Sequence, residues 1–197
     1  MKRKRRVIIL YVPGLVDIWD PLRRLALRLW RLQGARVEFV PMNWQSDETI
    51  EEKLGRVRSR IAAWRQRKYT IVLVGESAGG CVALNALLEQ PDSVHRVVTV
   101  CGLNNPYARI GPPTQLTNPA IQPALDLLAE NMKRLRPEIA TRVVSIHPEY
   151  DPTVATTDTK VPGGTELGVA GKGHMSVIAR YLTIRSRFII RLIKKSV

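Results

Sequence analysis

The sequence is short of the residues from which metal and redox sites are built. It holds two cysteines, Cys81 and Cys101, and three histidines. The cysteines form no C-x-x-C pair and have no histidine cluster nearby, so a metal site is not expected. Both lie in apolar stretches, where a thiol packs as a small hydrophobe. No apolar run approaches the roughly 18–20 residues of a membrane-spanning helix. The opening MKRKRRVIILYVPG starts basic, but its apolar stretch Val7–Val12 runs into Pro13-Gly14 with no small-residue cleavage site after it. It reads as a strand behind a basic leader, which makes the cytoplasm the expected compartment. Acidic residues are also few: 17 Asp and Glu stand against 31 Lys and Arg, a net charge of +14. The excess is spread, with Arg23, Arg24, Arg28 and Arg31 along one segment and Arg56, Arg58, Arg60, Arg65 and Arg67 along another. No zinc-finger spacing or aromatic RNA-binding strand goes with it, which argues against a nucleic-acid module. A solvated basic surface is expected, with an anionic membrane surface as the alternative partner. The oligomeric state is left open.

What is present is alternation. The length of 197 residues suits one domain with a sizeable core. Short β-branched runs, Val7–Val12, Arg36–Val40, Thr70–Val74, Val94–Cys101, Arg142–Ile146 and Glu166–Ala170, are separated by longer amphipathic segments. Asp20-Pro21 opens a helix whose apolar face is read as Leu22, Leu25, Leu29 and Leu32, and Gly34 ends it. Ser46 is read as opening the next, with Asp47, Glu48, Glu51 and Glu52 at its positive end and a buried stripe of Ile50, Leu54, Val57, Ile61 and Trp64. A last helix from Ser176 to Lys194 puts Val177, Tyr181, Ile184, Phe188 and Leu192 on one stripe, either covering a sheet or lying on an anionic membrane. The expected fold class is α/β: a doubly wound, mostly parallel six-stranded sheet with helices on both faces. One domain spans 1–197. The break at 102–140 is rich in Asn and Pro, then helical from Ile121 to Leu135, and long enough to overhang a site as a small lid.

One short stretch carries chemistry. In VLVGESAGGCVAL, Gly75-Glu76-Ser77-Ala78-Gly79 has the form G-x-S-x-G, behind an apolar strand and ahead of a helix. By residue usage alone this pattern arises in about one chain in 15 of this length, so its context decides. A tight strand-to-helix turn strains the serine and aims its hydroxyl over the sheet edge where open α/β sheets bind ligands. Serine chemistry then needs a histidine base and a carboxylate to orient it, in the chain order Ser, acid, His. Asp151 follows the fifth strand, with Glu149 its rival, and His174 follows the sixth. His174 alone among the histidines follows every candidate acid. His95 is placed at the far edge as structural. His147, at the end of the fifth strand, is read as lining the site without reacting.

GESAGG, the D-P-T-V stretch at Asp151 and the G-H at His174 resemble the α/β-hydrolase superfamily, in particular its compact, nearly capless lipases and serine hydrolases. The resemblance runs from Val7 to the last helix. It implies Ser77 as nucleophile, His174 as general base and acid, and Asp151 as the residue orienting His174. It implies an oxyanion hole from the backbone N–H of Ala78 and of Leu15, with Val16 the alternative, since Pro13-Gly14 stands where many members carry His-Gly. The implied activity is hydrolysis of carboxylic esters through an acyl-enzyme, with small-molecule acyl esters as substrates and no metal or organic cofactor needed. Val16, Trp19, Trp44, Asn104 and Met175 are expected in the pocket walls. The rival readings are a non-catalytic protein of the same fold holding an anionic partner, and a peripheral membrane lipase anchored by its basic leader and final helix.

Overall fold

The computed structural model describes residues 6–195; the basic leader, but for Arg6, lies outside the described residues. Strands β1 (Val7–Val12), β2 (Val37–Phe39), β3 (Thr70–Glu76), β4 (Val94–Val100), β5 (Val143–Tyr150) and β6 (Thr165–Lys172) form one sheet in the order β2-β1-β3-β4-β5-β6. Every pairing is parallel. The helices are α1 (Asp20–Leu32), α2 (Ile50–Gln66), α3 (Ala78–Glu89), α4 (Pro112–Thr117), α5 (Ile121–Met132), α6 (Pro137–Ala140), α7 (His174–Leu182) and α8 (Ser186–Lys195). Both faces are covered at the central strands, which is why β1 and β3 read as apolar runs, whereas the edge strand β6 has no buried residue. Ile8, Leu10, Val12, Ile71 and Leu73 pack beneath α2, α3 and α5. Ile9, Tyr11, Val72 and Val74 pack beneath α1, α7 and α8.

Strand order positions the site. The chain steps from β1 outward to β2, then returns to place β3 on the other side of β1. The loops leaving β1 and β3 therefore part at the C-terminal edge of the sheet, and the crevice between them is where such sheets bind ligands.

Three helix readings need correcting. The first is the exposed face of α1. Leu22, Leu25, Leu29 and Leu32 are 55%, 55%, 42% and 84% exposed, while Arg23, Ala26, Leu27 and Trp30 are buried. Both rows have three- and four-residue spacing, so periodicity alone could not choose between them. Burial went to the row holding Trp30, whose indole N–H donates to Leu182 O at 2.8 Å. Second, α2 starts at Ile50, not Ser46. Thr49 caps it, with Glu52 N donating to Thr49 Oγ1 at 3.3 Å and Thr49 N donating to Glu52 Oε2 at 2.7 Å. This T-x-x-E capping box was legible in the sequence. Thr49→Ala is expected to lower stability by about 1 kcal/mol in urea denaturation, with no change in any catalytic readout. Third, the last helix is two helices broken at 183–185, which throws the predicted stripe out of phase. Ile184 is 82% exposed, and Ile189, Ile190 and Ile193 take the buried places.

The 102–140 segment is not all overhang. Ile121, Ala124, Leu125 and Leu128 on α5 are fully buried in the core that α5 shares with α2 and α3. Ala124 O also accepts from Asn85 Nδ2 at 3.1 Å on α3. α5 is thus a wall of the core and not part of an overhang.

Candidate active site

β3 enters the turn and α3 leaves it, with Ser77 between them at φ 50°, ψ −123°. A side chain with positive φ is strained, by about 1–3 kcal/mol, and persists only where the surroundings enforce it. The neighbouring glycines show how. A Cβ on Gly79 would lie 2.2 Å from Val12 O, and one on Gly75 would lie 2.6 Å from Gly79 O. A Cβ on Gly14 would lie 2.7 Å from Ser77 Cβ, so the loop after β1 passes directly against the serine. The Ser77 N–H is used in the fold, donating to Val100 O at 3.1 Å. Ser77 O accepts from Gly80 N at 2.8 Å and from Leu103 N at 2.9 Å.

β5 and the loop before α7 bring the other two side chains to this edge. Ser77 Oγ lies 2.9 Å from His174 Nε2, and His174 Nδ1 lies 2.7 Å from Asp151 Oδ2. The Asp151 side chain is fully buried and that of His174 is 5% exposed. Asp151 Oδ1 accepts from Thr153 N at 2.8 Å and Val154 N at 3.0 Å, so the D-P-T-V turn holds the carboxylate still. Glu149, the rival acid, is exposed. Ala78 opens α3, where a backbone N–H has no partner within the helix and the helix dipole favours negative charge. Cys101 Sγ, Asp151 and His174 offer ligand atoms within 4.8 Å of one another. Burial pushes the Cys101 thiol up, with the Asp151 charge adding to the shift. His174 Nδ1 and Asp151 Oδ2 are already spent on each other. The donor set suits proton transfer between Ser77 and His174 better than a cation.

Not every expected wall residue lines the site. Trp44 is fully buried and donates its indole N–H to Pro13 O at 3.1 Å. Asn104 is fully buried too, and its Nδ2 donates to Thr99 Oγ1, Ser145 Oγ and Thr159 O at 2.9, 3.1 and 2.6 Å. Both support the site from within instead of facing a substrate. Val16, Trp19 and Met175 are 45%, 46% and 49% exposed, on the loop after β1 and at the start of α7. His147 donates a ring N–H to Pro148 O at 3.1 Å. His95 lines a cleft of about 440 Å³ with Arg65, Lys68, Thr70 and Arg142, at the N-terminal edge of the sheet and so away from Ser77.

Other solved structures share this arrangement of sheet and helices. One, described with LipS and LipT, two metagenome-derived lipolytic enzymes, superposes with a TM-score of 0.69 at 14% identity, covering 95% of this chain and 91% of that one. Paleococcus ferrophilus monoacylglycerol lipase gives 0.66 at 15% identity, covering 99% and 98%. MGS-MChE2, an alpha/beta hydrolase enzyme from the metagenome of sediments from the lagoon of Mar Chica, Morocco, gives 0.62 at 13%, covering 98% and 93%. The chain has the α/β-hydrolase fold. No protein-family model matches the sequence, and no curated protein matches it.

Within this α/β-hydrolase fold, sequence reasoning missed the cluster that ties the loop after β1 to the serine turn. Glu76, the residue before Ser77, is buried and accepts from Arg23 Nη2 at 2.6 Å and from the Tyr11 hydroxyl. The same guanidinium donates to Leu15 O and Val16 O, both at 3.0 Å. Asp17 extends the brace, accepting from Trp44 N at 3.0 Å and Gln45 N at 2.9 Å. Burial raises the Tyr11 phenol well above its usual range, and the Glu76 charge adds to that. Burial would lower the Arg23 pKa, but the bond and charge of Glu76 outweigh it and the net shift is upward. The signal available in the sequence was an arginine in the second apolar row of α1.

Proposed function

We propose that the chain is a serine hydrolase acting on carboxylic esters. The observation that carries this reading is the relay at 2.9 and 2.7 Å from Ser77 Oγ through His174 to the buried Asp151. Ser77 Oγ donates its proton to His174 Nε2 as it attacks the ester carbonyl, and Asp151 stabilises the imidazolium through Nδ1–H. The tetrahedral oxyanion accepts from Ala78 N–H and, across the crevice, from Leu15 N–H, each donor contributing roughly 3–4 kcal/mol to the transition state. As the intermediate collapses, the C–O bond to the alcohol breaks and the proton on Nε2 passes to the leaving oxygen. Water then attacks the acyl-Ser77 ester, with His174 as base, and the acid leaves as Ser77 regains its proton. The fold shared with lipolytic enzymes and a monoacylglycerol lipase supports the ester class. It does so at the level of architecture, and the site carries the chemistry.

A fluorophosphonate probe tests this. Labelling of the wild-type chain, with none of Ser77→Ala and strongly reduced labelling of His174→Ala, is the expected result. A folded wild type that stays unlabelled would overturn it and favour a binding protein that keeps the fold without turnover.

A further inference from the structure

We infer that α1 is a docking face for an anionic lipid surface. Its apolar row is not the one that covers the sheet. Leu22, Leu25, Leu29 and Leu32 face out along a helix about 20 Å long. The row continues through Ile18, 79% exposed, onto the loop that passes Ser77. Single exposed leucines are ordinary, but a continuous stripe of them is not.

The charges beside the stripe say what covers it. Arg24, Arg28 and Arg31 form a second exposed row, about 110° around the helix from the leucines. Arg24 lies over the Phe39 ring at 4.1 Å, and Arg31 Nη2 donates to Val37 O at 3.1 Å, so this row is turned toward the β2 edge. These contacts leave the charge in place; none of the three has a carboxylate partner among the described residues. α7 and α8, in the same layer, add exposed Arg180, Arg187 and Arg191. Across all three helices Asp20 is the sole carboxylate, and it pairs with Arg23 at 2.9 Å. The acids of the chain sit elsewhere, many of them on the α2, α3 and α5 side of the sheet, as with Glu51, Glu89 and Glu130.

A helix with leucines on one row and unneutralised arginines on the next fits a bilayer interface. The leucines enter the acyl boundary while the guanidiniums reach headgroup phosphates. Nucleic acid would meet the arginines but leave the leucines in water. A symmetric contact with a second copy would set the same cationic layer against itself. The anchor is thus α1, not the final helix, whose apolar side is spent in the core as Ile189, Ile190 and Ile193.

The inference goes beyond ester hydrolysis and is tested without it, using Ser77→Ala protein so that binding is read apart from turnover. Sedimentation is compared with vesicles of phosphatidylcholine alone and of phosphatidylcholine with phosphatidylserine at about 3:1. Tight binding to the anionic vesicles, at least tenfold weaker to neutral ones, is expected. Leu25→Ser/Leu29→Ser should weaken anionic binding at least tenfold, and Arg24→Gln/Arg28→Gln should do the same more steeply at low salt. All these positions are exposed, so folding is retained. Soluble-ester turnover of the same substitutions on the Ser77 background should stay within twofold. No binding by the parent, or equal binding by the leucine variant, would overturn the inference. So would a dimer in analytical ultracentrifugation that the leucine variant abolishes without any vesicle binding. Salt-dependent binding to duplex DNA that ignores the leucines, with no vesicle binding, would reassign the face to nucleic acid.

Discussion

Ser77→Ala is expected to lower kcat on a short-chain p-nitrophenyl ester by about 10⁴- to 10⁶-fold, the range set by removing a nucleophile that acts with its base as one unit. His174→Ala should fall in the same range, and the double variant should lose little more than either alone. Additive losses would mean that the two side chains do not act together. The strained backbone at Ser77 makes a second result available from the same site. At φ 50° alanine retains the strain and glycine does not. Ser77→Gly should therefore be as inactive as Ser77→Ala yet more stable by about 1 kcal/mol, read from urea midpoints at constant m. Equal stability of the two would show that the surrounding glycines impose no strain.

Arg23→Met is expected to be strongly destabilising. It leaves the Glu76 carboxylate, 1% exposed, without the guanidinium that binds it at 2.6 Å. Stranding one charge of a buried pair costs about 3–5 kcal/mol. Adding Glu76→Gln removes the stranded charge while keeping an acceptor for the Tyr11 hydroxyl, and should recover much of that loss. Activity should not recover with it. Leu15 O and Val16 O lose their shared donor in either variant, so the loop that carries the proposed oxyanion N–H is no longer pinned. The stabilised double variant should show kcat down by up to about 100-fold with KM little changed, a split that global unfolding would not produce. Wild-type kcat in that variant would show that the loop holds itself.

The features legible in the sequence were those written locally. Ser77 announces itself because the turn needs glycines within two residues on either side. Asp151 and His174 follow because each closes a strand that the β-branched pattern marks. The pairing of Glu76 with Arg23 was not legible, because a helix of its own and 53 residues separate the partners. Trp44 and Asn104 were misplaced for a related reason. A polar or aromatic residue in a loop reads the same whether it turns toward substrate or toward the core. The break between α7 and α8 has no Gly or Pro to mark it, and the two rows of α1 obey the same period. In each case tertiary packing decided what spacing left open.

Ser77 and His174 are 97 residues apart in the chain. That separation builds a timing into synthesis. A growing chain can complete β1 through β4 and turn the elbow before His174 has been made. The sheet face beneath α1 also waits for Val177, Ile178, Ile189 and Ile193, which arrive with or just after the imidazole. The nascent protein thus holds Ser77 without His174 until the same helices that seal its core deliver the imidazole. On the proposed reading, reactivity and completion of the fold arrive together.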